Sequence, residues 1–351
     1  DDGNTIPFIA RYRKEMHGSM DDQLIREFAE KLEYLRGLDK RRDEIRSLID
    51  AQEKLTDEIN LALDKAATLS ELEDIYRPYR PKRKTRASIA KEKGLEPLAN
   101  DILKQEKGFD PSKSAVDYID EEKGVTSVED AIQGAMDIIA ELVSDNAEIR
   151  KRIRNLTNAN GVLVSVATDE EKDSVYKNYY DYKEPVKKIA GHRVLAVNRG
   201  EKEGFLKVSV ETDSEKPLNS IFRAMITDKN QLCSDIIREA CTDAYQRLIY
   251  PSIEREVRND LTDTAAENAM KVFAVNLKQL LMQPPVKGKT VLALDPGYRT
   301  GCKTAVVDST GKVLDTTVIY PTHSDKKIQE SKQTLLRLIK KHHVDIISIG
   351  N

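Results

Sequence analysis

Hydrophobic positions recur every three or four residues over much of the first part of the chain, the periodicity of helices that bury one face. After Ser19 and Asp22, which have capping-box spacing, the pattern predicts one amphipathic helix of about 30 residues. Its apolar positions are Leu24, Phe28, Leu32, Leu35, Leu38, Ile45, Leu48 and Ile49. The pattern repeats more weakly from Leu55 to Leu72, and Pro78 and Pro81 then end it.

Shorter helical patterns follow, joined by short polar loops. They run from Ser88 to Gly94, from Pro97 through Lys107, from Ser127, which has capping spacing with Asp130, and from Asp145 or Asn146 to Leu156. Helical periodicity returns from Leu232 to Ile249 and from Ala265 to Met282. Short helices with short connections predict a packed α-helical array.

Patterns of another kind interrupt this array. Asn160-Gly161 precedes VLVSVAT, the segment from Tyr176 to Glu184 is rich in tyrosine and charge, and HRVLAVNRG and the alternating FLKVSV flank the turn-like GEKEG. Pro284-Pro285 is the best linker signal in the chain. We therefore expect a helical region over 1–285 and a second domain over 286–351.

The second domain opens with three β-rich runs, VLALD, TAVVD and VLDTTVIY, joined by loops that contain glycine. A helix predicted from Asp325 to His342 leads to a fourth run, DIISIG. Short connections make the first three strands antiparallel, and the helical crossover makes the fourth parallel to the strand it joins. The predicted fold class is a mostly α region followed by the first half of an α/β ribonuclease H-like domain.

Composition limits the classes of protein to consider. Apolar residues make up 39% of the chain and charged residues 33%, a balance typical of helix-rich protein with much exposed surface. The net charge is −3, so any attraction to nucleic acid must come from local clusters of lysine and arginine. Cys233, Cys241 and Cys302 form no CxxC pair, which argues against a disulfide framework and a zinc site and favours a reducing cytoplasm. No apolar run approaches the roughly 20 residues that cross a bilayer.

The strongest basic cluster, here called the basic segment, is YRPYRPKRKTRASIAK from Tyr76 to Lys91. Its cations are Arg77, Arg80, Lys82, Arg83, Lys84, Arg86 and Lys91, with no acid among them. Prolines keep the segment extended, so its cations can follow a phosphate backbone while Tyr76 and Tyr79 stack on bases. The alternative is a solvated loop that pairs with the acids just before it, Glu71, Glu73 and Asp74.

Two weaker basic groups lie elsewhere. FIARYRKEMHG near the start contains Arg11, Arg13 and Lys14, and is also readily explained as the polar end of a helix. His192-Arg193 and Arg199 form the other group. The five histidines show neither metal-ligand spacing nor a preceding nucleophile motif, so no metal or serine–histidine chemistry is predicted.

A helix-turn-helix is a further candidate, over residues 232–260. There, two helical patterns meet at Tyr250-Pro251-Ser252, and the second carries Arg255 and Arg258, as in a pair that reads a DNA groove. The alternative is an ordinary helical hairpin with no role in binding.

The stretch VLALDPGYRTGCKTAVVD, from Val291 to Asp308, allows three interpretations of Asp295. It is the first-strand acid of a nuclease, sharing two Mg²⁺ ions with other carboxylates. It is part of a phosphate-binding hairpin, with Gly297, Thr300 and Lys303. Or Asp-Pro-Gly is only a turn between strands. Asp308 and Asp315 are not where a second ligand is expected, and Asn351 stands at the end of the fourth strand.

Several of these stretches together resemble the Tex family of bacterial transcription accessory proteins, relatives of a eukaryotic transcription elongation factor. The segments that carry the resemblance are TIPFIARYRKE (Thr5 to Glu15), LEDIYRPYRPKRKTRASIAKEKGLEPLA (Leu72 to Ala99), YYDYKEP (Tyr179 to Pro185), HRVLAVNRGEKEG (His192 to Gly204) and VLALDPGYRTGCKTAVVD. The family combines a helical region that has a helix-turn-helix part, a YqgF-type ribonuclease H-like domain, helix-hairpin-helix elements and an RNA-binding S1 domain. The resemblance covers the helical region except its extreme N-terminus, and the first half of the YqgF-type domain.

The resemblance implies a cytoplasmic scaffold that binds RNA or DNA, with RNA polymerase or the ribosome as a partner, and with neither a membrane nor a small-molecule substrate. It implies binding rather than catalysis and no cofactor, because the carboxylate set of the YqgF-type domain is often incomplete. Asp295 matches the first-strand acid of that fold. Mg²⁺ belongs only to the alternative, a metal-dependent nuclease that uses Asp295.

Overall fold

The computed structural model describes residues 3–227, 229–284, 286–297 and 300–350. The chain forms two compact units, Asp1–Met270 and Lys271–Asn351, which are described separately. The domain boundary predicted at 285/286 falls beside Pro285, which lies outside the described residues, so that boundary stays a prediction.

The first unit is a multi-helix array, as predicted. Its helices are α1 (Ile6–Tyr12), α2 (Lys14–His17), α3 (Asp22–Asp50), α4 (Asp57–Lys65), α5 (Leu69–Tyr76), α6 (Arg86–Glu92), α7 (Glu96–Lys104), α8 (Pro111–Ala115), α9 (Val128–Asp145), α10 (Ala147–Asn160), α11 (Gly191–Lys202), α12 (Glu215–Met225), α13 (Gln231–Asp243) and α14 (Tyr250–Leu281), the last of which continues into the second unit.

Side-chain caps decide where several of these helices begin. Ser127 caps α9 by accepting from the Asp130 backbone N–H at 3.1 Å, as its spacing predicted. The long helix α3 has 29 residues, but the cap predicted at Ser19 is wrong, because Asp21 accepts from the Leu24 N–H at 2.8 Å instead. The Leu55–Leu72 pattern forms two helices rather than one, since Ala66 is extended and Thr68 caps α5.

The helix-turn-helix predicted over 232–260 lacks its turn. Helix α13 passes through a π-helical segment, Ala244–Ile249, directly into α14, so Tyr250-Pro251-Ser252 is helical. Proline has no N–H to donate and its ring collides with the carbonyl four residues earlier in a regular helix. The wider π-helical path relieves that conflict just before Pro251, and the helix continues.

A three-stranded antiparallel sheet interrupts the helices of the first unit. Its strands are β1 (Val162–Ala167), β2 (Asp181–Pro185) and β3 (Leu206–Glu211), in the order β2-β1-β3. The segment HRVLAVNRG is the helix α11, and its Val197 packs with Leu163 of β1 and Leu206 of β3 in a small core.

Two further cores hold the helices. The larger is centred on α9, whose alanine and isoleucine face packs against α6, α7 and α13. A second core joins α3, α4 and α5 through Leu38, Ile45, Leu63 and Leu72. Within the described ranges, no helix is both long enough and apolar enough to cross a membrane.

The second unit has the strand order of the first half of a ribonuclease H-like domain, as predicted. Its elements are β4 (Val291–Asp295), β5 (Cys302–Val307), β6 (Val313–Ile319), α15 (Asp325–His342) and β7 (Ile346–Ile349). The sheet order is β6-β5-β4-β7; β5 pairs antiparallel with both β4 and β6, while β7 is parallel to β4. Helix α15 covers one face, with Leu338 against Leu292 and Val306.

Candidate nucleic-acid interface

The basic segment connects α5 to α6. A short 3-10 turn, Arg77–Tyr79, follows α5, and Arg80 is already extended. At the other end, Thr85 and Ser88 form a capping box: each side-chain oxygen accepts from the other residue's backbone N–H, at 3.0 and 2.8 Å. This cap and the prolines leave residues 80–84 without regular structure, as the sequence predicted.

Three of the seven cations of the basic segment, Arg77, Arg80 and Lys82, are held by acids of the first unit. The Lys82 ammonium contacts the Asp145 carboxylate and lies 3.5 Å from Glu141 Oε1. Arg77 Nε lies 3.5 Å from Asp145 Oδ1. Asp145 and Glu141 are on α9, with side chains only 14% and 19% exposed. The charges of these two cations are therefore balanced by carboxylates of α9, although both side chains stay partly exposed.

Arg80 is held in a similar way by α5. Its guanidinium contacts Glu73, which also accepts from Arg41 Nε at 2.7 Å, and both arginines lie 5.7 Å from the ring centre of Tyr76. Tyr76 itself is 6% exposed and belongs to the second core. The expectation that Tyr76 stacks on bases is therefore wrong, because its ring packs inside the protein.

The remaining cations face outward. Arg83, Lys84, Arg86 and Lys91 are exposed, and Lys91 Nζ lies 3.1 Å from Glu96 Oε1. Arg83 and Arg86 have no ion pair with any residue that the structure describes, and Lys84 Nζ lies 3.6 Å from Glu92 at an open surface. Exposed pairs of that kind contribute little, so these side chains form the available positive surface of the basic segment.

A buried ion-pair network supports the start of the segment, and the sequence reasoning missed it. Arg150 of α10 is fully buried; its Nε donates to Asp74 Oδ1 at 2.6 Å and its Nη2 donates to Glu256 Oε1 at 3.0 Å. Arg154, one turn later, donates to Asp74 Oδ2 at 2.6 Å and to Glu256 Oε2 at 2.8 Å. Burial, with the nearby charge of Arg150, lowers the pKa of Arg77.

The candidate cations near the start of the chain lie at the junction of α1 and α2. The Arg13 guanidinium lies 5.8 Å from the Phe8 ring centre, and Phe8 contacts Tyr12 with 5.2 Å between ring centres. Arg11, Arg13 and Lys14 are exposed and make no ion pair with a described residue.

His192 and Arg193 lie in the first turn of α11. Arg193 Nη1 donates to both carboxylate oxygens of Glu184 on β2, each at 3.0 Å, and these hydrogen bonds raise the pKa of Arg193. The Arg193 charge is therefore balanced by the Glu184 carboxylate of the adjacent strand. His192 is exposed beside it.

Arg258, from the helix-turn-helix candidate, is also committed to internal contacts. Its guanidinium donates to Glu201, to the Val208 carbonyl at 2.9 Å and to Asn198 Oδ1 at 3.2 Å. These contacts tie α14 to α11 and β3 and give Arg258 a structural role. Arg255 is exposed.

Asp295 ends β4 and is exposed, with Lys303 as its cross-strand neighbour. A Cβ at Gly350 would lie 3.7 Å from Asp295 Oδ1, so the end of β7 lies beside it. Asn351, Tyr298 and Arg299 lie outside the described residues.

The other two candidate acids are engaged elsewhere. Asp308 Oδ1 accepts from the Thr310 hydroxyl at 2.7 Å and from the backbone N–H groups of Thr310 and Lys312 at 2.8 and 3.0 Å, which closes a turn. Asp315 accepts from Lys341 at 2.9 Å and contacts His342 at 3.1 Å, and these groups lower its pKa to about 2. In the described ranges, no three His, Cys, Asp or Glu side chains are grouped to hold a metal ion.

Three family models match the chain along its length. They are the Tex-like protein N-terminal domain at residues 1–50, the Tex central region-like model at 106–273 and the Tex protein YqgF-like domain at 289–351. This chain belongs to the Tex family. The basic segment lies between the first two matches, and Asp295 lies inside the YqgF-like match.

Named relatives agree with this assignment. The chain is 46% identical to an uncharacterized protein, YdcI, of Bacillus subtilis over its whole length and 49% of that protein. It is 39% identical to the transcriptional accessory protein Tex of Neisseria gonorrhoeae, over its whole length and 46% of that protein. It is 31% identical to human S1 RNA-binding domain-containing protein 1, covering 36% of that protein. The chain thus spans about half the length, or less, of the curated relatives it matches.

Proposed function

We propose that this Tex-family chain binds nucleic acid through its basic segment and serves as a non-catalytic scaffold in transcription or RNA metabolism. The observation that carries the proposal is a run of exposed cations at the start of α6: Arg83 and Lys84 lie in the stretch without regular structure before the helix, and Arg86 is its first residue. These flexible charged side chains follow one another closely in the chain, so they can contact successive phosphates of a nucleic-acid backbone. The relatives' names, a transcriptional accessory protein and an S1 RNA-binding domain-containing protein, support this proposal.

Binding of this kind is electrostatic. It depends weakly on base sequence and strongly on salt, because each phosphate contact releases counterions. We propose single-stranded RNA as the preferred ligand, duplex DNA as the competitor to test, and RNA polymerase or the ribosome as the assembly where a cytoplasmic chain of this kind acts. Arg11, Arg13 and Lys14 are proposed as a secondary contact.

The test measures affinity against salt by fluorescence anisotropy, with labelled single-stranded RNA and labelled duplex DNA. The variant Arg83→Gln/Lys84→Gln/Arg86→Gln removes three exposed cations. We expect weaker binding and a salt slope for RNA that is shallower by about 2, the value for three lost single-strand contacts.

The matched control is Lys326→Gln/Lys332→Gln/Lys340→Gln, which removes the same charge from exposed positions of α15. If both variants weaken binding equally, net charge rather than the basic segment controls binding. If the first variant keeps the wild-type slope, the segment has no role.

The alternative function is a metal-dependent nuclease that uses Asp295, and the position of Asp295 at the end of β4 is the observation in its favour. The described residues do not fit a two-metal site, because Asp308 and Asp315 are bound elsewhere. Cleavage of structured nucleic acid with Mg²⁺ that disappears in Asp295→Asn would establish the nuclease and overturn a purely binding role.

A further inference from the structure

Helix α9 carries three acids along one side, and the basic segment lies against them. Asp137, Glu141 and Asp145 are spaced four residues apart, so their side chains line one side of the helix. Here they are called the acidic stripe. Arg247 Nη2 lies 3.5 Å from Asp137, Lys82 contacts Glu141 and Asp145, and Arg77 contacts Asp145.

Asp145 has no other role that its contacts reveal. The cap of α10 is the next residue, Asn146, whose Oδ1 accepts from the Ile149 N–H at 3.0 Å. The contacts that the structure describes for the Asp145 carboxylate are with Arg77 and Lys82. One carboxylate thus holds two cations of the basic segment.

Those two cations remain within reach of a ligand. The Arg77 and Lys82 side chains are 34% and 29% exposed. Lys82 lies in the part of the segment without regular structure, so its ammonium group can turn away from α9 without breaking a helix. Ion pairs that are partly exposed are weak and screened by salt, so a polyanion with closely spaced phosphates can compete with a carboxylate for such cations.

We infer that the acidic stripe of α9 competes with nucleic-acid phosphates for the basic segment, and that Asp145 thereby lowers its affinity for RNA. The inference rests on the proposed function. Arg83, Lys84 and Arg86 make the first contacts, and Arg77 and Lys82 reach phosphate only in the fraction of complexes in which they leave the Asp145 carboxylate. The stripe therefore sets both the affinity and the number of phosphates that are bound.

The deciding variant is Asp145→Asn in the full chain, with labelled single-stranded RNA as the probe and salt varied between about 50 and 200 mM. Freed from the carboxylate, Arg77 and Lys82 bind phosphate more readily. We expect RNA affinity to rise several-fold and the salt slope to steepen by up to about 1.4, the single-strand value for two added contacts.

Two further variants keep the outcome interpretable. Glu330→Gln removes one negative charge from α15, where Glu330 pairs with Lys327 at 2.9 Å, and controls for net charge. Glu141→Gln weakens only the hold on Lys82, so its effect should be about half of that of Asp145→Asn. It decides the question if Asp145→Asn does not fold by circular dichroism.

The inference is overturned if the folded Asp145→Asn chain, or Glu141→Gln where the former does not fold, binds RNA no more tightly than Glu330→Gln does. The proposed function fails on a different result, namely an unchanged salt slope in Arg83→Gln/Lys84→Gln/Arg86→Gln. If that triple variant weakens binding but Asp145→Asn does not strengthen it, the proposed function stands and this inference is wrong.

Discussion

The buried network around Asp74 yields the sharpest prediction of stability. Asp74 accepts hydrogen bonds from both Arg150 and Arg154, each at 2.6 Å, and its side chain is 5% exposed. Asp74→Asn keeps the size of the side chain and removes its charge. Two guanidinium groups, one fully buried and one 11% exposed, are then left with Glu256 as their remaining carboxylate.

The expected decrease in the free energy of unfolding follows from the loss of this counter-charge. Removing one partner of a buried ion pair typically costs about 3–5 kcal/mol, since the other charge stays buried without its counter-charge. The amide that replaces the carboxylate still accepts one hydrogen bond but cannot accept two charged donors through two oxygens, so it recovers little. Asp22→Asn is the matched control: Asp22 pairs with Arg26 and both side chains are 51% exposed, so that change should cost less than about 1 kcal/mol.

Urea unfolding followed by far-ultraviolet circular dichroism measures the free energy of unfolding of each variant. Hydrogen exchange shows which elements lose stability. We expect amides of α5 and α10 to exchange faster in Asp74→Asn. A cost for Asp74→Asn no larger than that of Asp22→Asn would refute the view that this network stabilises the fold. In Asp74→Asn/Arg150→Met the cost should be less than the sum of the single changes, because the unpaired charge is removed as well.

Two other predictions concern packing and pH. A Cβ at Gly161 would lie 2.4 Å from the Thr157 carbonyl oxygen, so Gly161→Ala should lower the unfolding free energy by about 1–3 kcal/mol, whereas Gly37→Ala, in open space within α3, should not. Lys341 and His342 lower the pKa of Asp315 to about 2, whereas the pKa of an aspartate in the unfolded chain is about 3.9. The ionised Asp315 therefore stabilises the second unit fully at pH values above about 3.9, and this stabilisation is lost as the pH falls through about 2. Melting temperatures between those pH values should therefore fall more in wild type than in Asp315→Asn; equal declines would contradict the assignment.

Local patterns predicted the fold well wherever one segment contains its own signal. Helix α15 begins and ends at Asp325 and His342, as its periodicity predicts, and the cap at Ser127 is confirmed. The strand order of the second unit follows from connection lengths and handedness rather than from side-chain detail, so it too was predictable.

The errors arise where distant contacts decide. Pro251 is an ordinary turn signal in the sequence, but the π-helical segment before it lets α13 continue into α14. Tyr76 was expected to face solvent beside basic residues, but the second core buries its ring. Nothing within the basic segment indicates that Tyr76 is buried, because its packing partners are distant in sequence.

The buried arginines were missed for a related reason. Arg150 and Arg154 are four residues apart on α10 and match Asp74 of α5 and Glu256 of α14 only after the chain has folded. The available signal was the pair of arginines at helical spacing in a helix with apolar neighbours at Ile149 and Ile153. Such a pair indicates an arginine on a buried face, which requires carboxylate partners.

Under the proposed function, the acids that pair with three cations of the basic segment would make a chain with a net charge of −3 selective for polyanions. Long-range attraction is weak because Asp145, Glu141 and Glu73 balance Arg77, Lys82 and Arg80. At short range, however, the phosphate backbone of a bound strand would meet Arg83, Lys84 and Arg86 first, and further phosphates would replace the carboxylates that hold the other three cations. Binding of this kind would require several adjacent phosphates, so a long single strand should compete well where a mononucleotide or inorganic phosphate does not.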